Sequence, residues 1–383
     1  MANAFIFPNE IIETGIKLLE PQLVLSRLVW RDAFGDWSGR LNDTVSIRVL
    51  DPVESHQNTM RATGSGRNLI VSDLTEQTID VKIDRHPYNL VHLTDEEETL
   101  DIENFASQVL ARQINSLSRR LERNVSELII NAPYDATHVG GADSLYEAIV
   151  HADTSLNEEE IPMEDRFLVV GSRFEEALRL DERLIRTDSQ GSFAEDALQR
   201  ARLGMIAGYN ILVSHFLPKS AAYLFHRTAF AVVSRPPRAP YAGAPAVGAT
   251  ASTDGAYALR WIGDWDMDAQ TDRSLIDTFY GDAVIEDPDK GLIRAQQLVL
   301  EPTALTTPAT ATVTAAAGVD HSEQIVATGN YGDTLSGAAS WSSSDPTKAT
   351  VDHNGVVTGV AAGTTTITAT IGAASDTTTV TVS

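Results

Sequence analysis

One long amphipathic segment constrains the fold of this chain more than any other feature. Nine apolar residues recur every three or four positions and form one continuous stripe: Ile102, Phe105, Val109, Leu110, Ile114, Leu117, Leu121, Val125 and Leu128. This spacing predicts an α-helix that ends before Pro133. At 1.5 Å per residue, about thirty residues form a rod of roughly 45 Å, much longer than a usual globular helix. The chain is therefore predicted to be built along one stiff axis.

The amino-acid composition changes abruptly just after residue 300. Residues 304–383 contain 19 threonines, six acidic residues and one basic residue, Lys348. Their net charge is therefore −5, which leaves −19 of the total of −24 for the preceding residues. Pro302 and Pro308 bracket a short threonine-rich stretch between the two parts. We therefore predict a linker at residues 303–309 that leaves the C-terminal part mobile.

Before the break, the pattern mixes helices and strands without a regular alternation. Helical spacing covers residues 10–28, interrupted by Pro21, and a second helix is predicted from Ser172 to about Leu180. Predicted strands are Phe167–Val170, Ile211–Val213, Tyr223–Phe225, Phe230–Val233, Tyr257–Ile262 and Leu292–Val299. The proline-, alanine- and glycine-rich residues 235–255 predict an exposed, mobile loop. This mixture is typical of an α+β fold.

Two alternating segments predict a long two-stranded arm. Apolar and polar residues alternate at Val45, Ile47 and Val49, and again at Ile79, Val81 and Ile83. About thirty mostly polar residues lie between them, with Gly64-Ser65-Gly66 near the middle. Such a long loop is unusual in a compact monomer but useful in an interlocking assembly.

Several classes of protein are excluded by what the chain lacks. It contains no cysteine, which removes disulfides, thiolate metal sites and cysteine nucleophiles. No apolar run approaches the roughly 20 residues that cross a bilayer, and the start has neither the basic residues nor the apolar core of a signal peptide. The net charge of −24 argues against a general nucleic-acid binder, which presents a basic face. We therefore expect a protein made in a cytoplasm, without a membrane partner.

Three alternating carboxylates are the weak candidate for a metal site: Asp264, Asp266 and Asp268. Calcium-binding loops begin with such a pattern, but the glycine expected at the sixth position is Ala269. On a strand, all three would share one face, solvated or paired with arginines. The nine histidines show no metal-ligand spacing, and no catalytic signature is present. We therefore predict no metal, no cofactor and no enzymatic activity.

Four stretches before residue 300 carry a family resemblance. In chain order they read LTDEEETLDIENFASQVLARQINSLSRRLERNVSELIINA, GSRFEEALRLDERLIR, GMIAGYNILVSHFLP and IDTFYGDAVIEDPDKGLIRAQ. They resemble the spine helix, the apical-domain helix, the following strand pair and the closing strands of tailed-phage coat proteins with the Hong Kong 97-like capsid fold. The start, NEIIETGIKLLEPQLVLSRLVWRD, is most similar to the short-tailed Salmonella-phage subgroup.

The C-terminal part resembles a different family. WSSSDPTKATVDHNGVVTGVAAGTTTITATIG, followed by TTTVTV, is similar to the bacterial immunoglobulin-like group 2 domain. Asn354-Gly355 is a strong hairpin signal, and residues 365–371 alternate as half-buried strands do. Trp341 is predicted to fill the core between two sheets. The segment is therefore predicted to form an all-β sandwich.

The resemblances imply a domain order for the whole chain. The implied domains are an N-terminal arm at 1–40, an extended two-stranded arm at 41–85, a peripheral domain with the spine helix at 86–140, an apical domain at 141–256, closing strands of the peripheral domain at 257–302, the linker at 303–309 and the immunoglobulin-like domain at 310–383.

The function that the resemblance implies is assembly. It implies a major capsid protein that forms pentamers and hexamers and encloses double-stranded DNA without sequence-specific binding. The implied partners are other copies of the chain, a separate scaffolding protein, a portal protein and, for the C-terminal domain, a host-surface glycan. Stabilisation of neighbouring subunits is an equal alternative role for that domain. Assembly is expected in the bacterial host cytoplasm, and the final location is the virion.

The predicted arm supplies the candidate contacts between subunits. Arg61 and Arg67 lie near its tip, where they would pair with carboxylates of a neighbour. Some capsids of this fold join subunits through a lysine–asparagine bond from this arm. Between Leu50 and Thr78 there is no lysine, and the nearest, Lys82, lies near the base of the arm. We therefore predict no covalent crosslinks.

Two other functions remain open at this point. An encapsulin-like nanocompartment shares the capsid fold but packages enzymes, and a surface adhesin is the usual protein to carry such C-terminal domains. The phage-like start argues against the first, and the missing signal peptide argues against the second.

Overall fold

The computed structural model describes most of the chain. It describes residues 8–19, 22–31, 44–50, 55–57, 60, 76–94, 96–97, 105–141, 145–181, 205–206, 208–240, 247–252, 257–266, 271–287, 290–315 and 321–383. The chain divides into two compact units, residues 1–16, 31–113 and 231–292 in the first, and residues 17–30, 114–230 and 293–383 in the second.

Four α-helices are present in the described residues: α1 (Pro8–Leu19), α2 (Ala111–Ile130), α3 (Leu145–Glu158) and α4 (Ser172–Leu180). The predicted long helix is confirmed, since α2 continues a π-helical stretch at Ala106–Leu110 and ends shortly before Pro133. The residues of its apolar stripe are buried as far as Val125, and the next buried residue of the stripe is Ile129. Ile129 lies four positions after Val125, and residues four apart fall nearly in line along a helix. No described helix is both long and apolar enough to cross a membrane.

Strands make up most of the remaining structure. Before residue 301 they are β1 (Thr44–Leu50), β2 (Glu76–Arg85), β3 (Tyr88–Thr94), β4 (Thr137–Gly140), β5 (Arg166–Val170), β6 (Met205–Ile206), β7 (Tyr209–Val213), β8 (Ala221–His226), β9 (Phe230–Arg235), β10 (Val247–Ser252), β11 (Ala258–Asp266), β12 (Thr271–Asp277), β13 (Phe279–Val284) and β14 (Ala295–Leu300). After it they are β15 (Leu305–Thr306), β16 (Thr310–Val313), β17 (Ser322–Gln324), β18 (Thr328–Gly329), β19 (Ser340–Ser343), β20 (Ala349–Val351), β21 (Val356–Gly359), β22 (Gly363–Ile371) and β23 (Ala374–Val382).

The first unit is built on two four-stranded sheets, in the orders β1-β2-β13-β9 and β10-β11-β12-β3. The predicted pairing of the two alternating segments is confirmed, because β1 and β2 are antiparallel with Val45 opposite Val81 and Ile47 opposite Ile79. One prediction is wrong. Part of the expected loop at residues 235–255 is strand β10, which pairs with β11 along its whole length. Its sequence, VGATAS, has too few large apolar residues to show strand periodicity.

The second unit is centred on a six-stranded sheet in the order β4-β14-β8-β5-β7-β6. Every residue of β8 and β14 is buried, as expected for strands covered on both faces. Helices α3 and α4 cover this sheet and contribute Leu145, Ile149, Phe174 and Leu178 to its core. The predicted α4 and the central strands β5, β7, β8 and β14 are confirmed, whereas α3 was not predicted.

A buried carboxylate attaches the N-terminal segment to α2. Glu122 is only 3% exposed and accepts hydrogen bonds from Leu25 N (2.9 Å), Ser26 N (3.1 Å) and Ser26 Oγ (2.9 Å). These amides open a single 3₁₀ turn, Leu25–Arg27, whose first N–H groups have no partner within the turn. Glu122 therefore caps this turn from a residue almost a hundred positions away and holds the segment against the long helix.

Residues after 304 form the predicted β-sandwich. The sheets β16-β23-β22-β19 and β17-β21-β20 enclose a shared core: Ala311, Val313, Ile325, Ala349, Val357, Ile367, Val380 and Val382. The Asn354-Gly355 turn is confirmed, with Gly355 at φ +78° between β20 and β21. Trp341 packs against this core as predicted, although it remains partly exposed.

The segment predicted as a linker is not a free tether. Within residues 303–309, strand β15 pairs with β18 of the sandwich. Thr307 N donates a 2.7 Å hydrogen bond to Asp376, and this bond lowers the pKa of the Asp376 carboxyl. Residues 303–309 therefore belong to the sandwich, and the prediction of a separate linker at these positions was wrong. Proline and threonine content indicates that a segment is not helical, but it does not show whether another strand pairs with it.

Candidate functional site: the junction with the C-terminal domain

Two of the three carboxylates considered as a metal site instead form salt bridges with an arginine. Asp264 and Asp266 lie on β11, opposite β12, and both form salt bridges with Arg273 on that strand, Asp266 at 3.4 Å. Asp268 lies outside the described residues. Among the residues that the structure describes, no group of three or more His, Asp or Glu side chains is placed to hold a metal ion. Arg61 and Arg67, the candidate contacts between subunits, also lie outside them.

One tight turn of the sandwich leads into its main polar contact with the six-stranded sheet. Gly332 N donates a 3.0 Å hydrogen bond to Gly329 O, which places Asn330 and Tyr331 at the two central positions of a β-turn. Gly332 has φ +73°, a conformation that glycine adopts without strain. A second hydrogen bond, from Gly329 N to Asp333 O (3.0 Å), closes the turn and fixes the backbone position of Asp333.

Asp333 is the central polar contact of this junction. Its Oδ2 accepts hydrogen bonds from Ser220 N (2.9 Å) and Ser220 Oγ (2.5 Å), just before β8. Both residues are buried, with 7% of Asp333 and 2% of Ser220 exposed. Removal of one partner from such a contact leaves the other polar group buried and unsatisfied, which costs more than the bond itself contributes. The pair therefore specifies one position for the sandwich on the sheet.

Burial and the neighbouring carboxylate of Asp333 both raise the pKa of a tyrosine at this junction. Tyr223 on β8 is fully buried, and burial raises the pKa of its hydroxyl well above the ordinary value. The nearby negative charge of Asp333 acts in the same direction. Tyr223 therefore stays neutral at any physiological pH.

Four further contacts surround the buried pair. The Arg173 guanidinium lies 5.3 Å from the centre of the Tyr331 ring, and Lys219 Nζ donates to Tyr331 O at 3.2 Å. Glu301 Oε1 accepts a 3.0 Å hydrogen bond from Ala373 N in the turn between β22 and β23. At Gly337 the backbone approaches α2 so closely that a Cβ would lie 2.8 Å from Ile130 O. Two turns of the sandwich and its backbone at Gly337 therefore contact the rest of the second unit.

None of these junction residues was singled out from the sequence. The signal that was present is the pair Gly329 and Gly332, which flanks a polar and an aromatic residue and indicates a turn. Nothing in the sequence indicates that Asp333 would pair with a serine 113 residues away.

Comparison with known proteins gives two family matches. A family model described as phage capsid protein matches residues 75–292, more than half of the chain. A second, the bacterial Ig-like domain (group 2), matches residues 302–382. No curated protein sequence matches the chain.

Solved structures from phages also match the chain. A structure from Mycobacterium phage Che8 is 18% identical, with a TM-score of 0.52 over 72% of this chain and 90% of that chain. The capsid of cyanophage P-SCSP1u is 15% identical, with a TM-score of 0.46 over 68% and 84% of the two chains. The capsid of Ralstonia phage GP4 is 14% identical, with a TM-score of 0.47 over 69% and 85%.

Proposed function

The chain belongs to the phage capsid protein family, and from this premise we propose that its copies assemble as pentamers and hexamers into an icosahedral shell around double-stranded DNA. The family match over residues 75–292 is the observation that carries this function. The protein is a major capsid protein of the virion with an Ig-like domain at its C-terminus, as its sequence predicted. The encapsulin-like and adhesin alternatives are not favoured by this match. Membership of a structural family also supports a protein without enzymatic activity.

Charge supports the enclosure of DNA without binding to its sequence. The chain carries a net charge of −24, and its DNA would carry one negative charge per phosphate. A negative inner wall would hold the genome by confinement and avoid strong adhesion, although an acidic composition also serves solubility alone. A portal protein and a separate scaffolding protein complete the proposed partners, and assembly takes place in the host cytoplasm.

The need for a scaffold gives the first prediction. Expressed alone, the protein should form open sheets, spirals or shells of mixed size, because nothing fixes the curvature. Co-expression with the proposed scaffolding protein should give shells of one diameter. Sedimentation of the two preparations makes the comparison. A single sharp shell peak from the coat protein alone would contradict a separate scaffold.

A second prediction concerns bonds between subunits. The arm between Leu50 and Thr78 contains no lysine that could form an isopeptide bond, so its proposed contacts are ion pairs of Arg61 and Arg67 with a neighbour. Each exposed pair contributes about 0–1 kcal/mol, and the shell gains strength from their number. Boiled, denatured particles should run as single subunits on a gel. A ladder of multimers would contradict the prediction.

The C-terminal domain is proposed to lie on the outer surface of the shell, where it holds weakly to a host glycan. The alternative role proposed for this domain is stabilisation of neighbouring subunits. The contacts of its two turns with the six-stranded sheet support display in a fixed orientation, since a docked domain presents the same surface on every subunit.

A further inference from the structure

A cleft opens beside the junction, between α4 and the two docking turns. Its two adjoining parts have volumes of about 760 and about 800 Å³, within the size range of small-molecule sites. Arg173, Glu176, Leu180 and Tyr331 line both parts. The cleft exists only because the sandwich is docked, since one wall comes from the body of the subunit and the other from the C-terminal domain.

The charged groups along the cleft are balanced. Of the residues that the structure describes, three basic and three acidic side chains line it: Arg173, Arg179, Lys219, Glu175, Glu176 and Glu301. Arg173 pairs with Glu176 and Arg179 pairs with Glu175, each at 2.5 Å. Lys219 is bound to a carbonyl and Glu301 to an amide, as described above. A strongly anionic or cationic ligand would therefore have to break an existing contact, so the lining favours a neutral ligand.

The remaining lining combines an exposed ring with apolar and planar polar groups. Tyr331 is 37% exposed, and the side chains of Arg173 and Glu176 are 48% and 52% exposed, so all three can reach a ligand. The apolar lining consists of Ala177, Leu180, Leu300, Pro302, Ala373 and Ala374. A sugar offers the matching surface, because its C–H faces pack against rings and apolar side chains while its hydroxyls exchange hydrogen bonds with carboxylate and guanidinium groups.

We propose that this cleft binds a neutral saccharide and that it is the glycan site of the displayed domain. The proposal rests on the glycan role proposed above and assigns that role to a composite site, which a free sandwich would not contain. Binding at one cleft is weak, because the cleft is open and its polar groups are already solvated or paired. Repetition over the shell converts weak contacts into firm retention.

Titration of the assembled full-length protein with neutral oligosaccharides tests the proposal. The probes are maltohexaose and the tetramer of β-1,4-linked N-acetylglucosamine, with dextran sulfate as the anionic comparison. Saturation-transfer NMR should detect binding of at least one neutral probe and none of dextran sulfate. Tyr331→Ala removes the ring, and Thr303→Trp fills the cleft from an exposed position while leaving the backbone bond of Thr303 in place. Each should weaken binding by about tenfold or more.

A control variant outside the cleft shows whether loss of saccharide binding is specific to the cleft residues. Tyr88 is an exposed tyrosine of the first unit, 66% exposed, and Tyr88→Ala should leave the affinity within about twofold of wild type. Equal binding by Tyr331→Ala, Thr303→Trp and wild type would overturn the proposal, as would preferential binding of dextran sulfate or no binding of either neutral probe.

Retention of intact particles on polysaccharide extracted from host cells distinguishes this proposal from the glycan role on which it rests. If wild-type particles are retained and the two cleft variants are retained equally, the glycan role stands and the cleft is wrong. If no particles are retained and neither neutral probe binds, both fail. If a neutral probe binds through the cleft but host polysaccharide does not, the site stands and the host role fails.

Discussion

Replacement of Glu122 by alanine is expected to destabilise the subunit by about 3 kcal/mol. The change removes three hydrogen bonds and leaves the amides of Leu25 and Ser26 buried without an acceptor. An unsatisfied buried polar group costs about 1–3 kcal/mol, and bonds to a charged acceptor lie at the upper end of this range. The free energy of unfolding, measured in urea on unassembled full-length protein, gives the value.

Two other variants make this result specific. Glu127→Ala removes a partly exposed carboxylate from the same helix, and it should cost less than about 0.5 kcal/mol. Glu122→Gln keeps an acceptor without the charge and should fall between alanine and wild type. Equal stability of Glu122→Ala and Glu127→Ala would show that the N-terminal segment is not held by this carboxylate.

Replacement of Asp333 by alanine is expected to release the C-terminal domain from the sheet. Ser220 loses the acceptor for its amide and its hydroxyl, and the cost of about 2–3 kcal/mol falls on docking, because the core of the sandwich lies elsewhere. Hydrogen exchange should therefore rise at Ser220, Lys219 and residues 329–337, while β20–β23 stay protected.

The control is an acid of the sandwich outside the junction. Glu323 accepts a bond from Thr312 within the sandwich, so Glu323→Ala should leave exchange at Ser220 unchanged. Ser220→Ala removes only the hydroxyl bond and should give a smaller effect than Asp333→Ala. Unchanged protection at Ser220 in Asp333→Ala would show that the junction is held by its other contacts.

Local sequence signals predicted the regular elements well. Helix α2 follows from an apolar stripe, and the β20–β21 hairpin follows from Asn354-Gly355, because each signal acts within a few residues. Strand β10 was missed because VGATAS lacks a distinct apolar face, so its pairing with β11 decides its structure. The segment at 303–309 was misread for the same reason, since Leu305 becomes a strand residue only through β18.

The polar contacts that position the parts of the second unit were beyond prediction from sequence. Glu122 lies beside Leu121 in an amphipathic helix, where a glutamate is usually exposed, and its partners are almost a hundred residues away. Asp333 comes directly after a turn, and acidic residues in and near turns usually lie at the surface. Each carboxylate is buried only because a segment distant in sequence packs over it, and tertiary packing decides which segment does so.

Electron microscopy of the protein assembled with its scaffold tests the central claim most directly. We expect closed icosahedral shells of uniform diameter, with one projection per subunit on the outer surface held in a fixed orientation. Averaging should resolve these projections as well as the shell in wild type and blur them in Asp333→Ala. Subunits that stay monomeric under every condition, or shells whose C-terminal domains lie inside, would contradict this account.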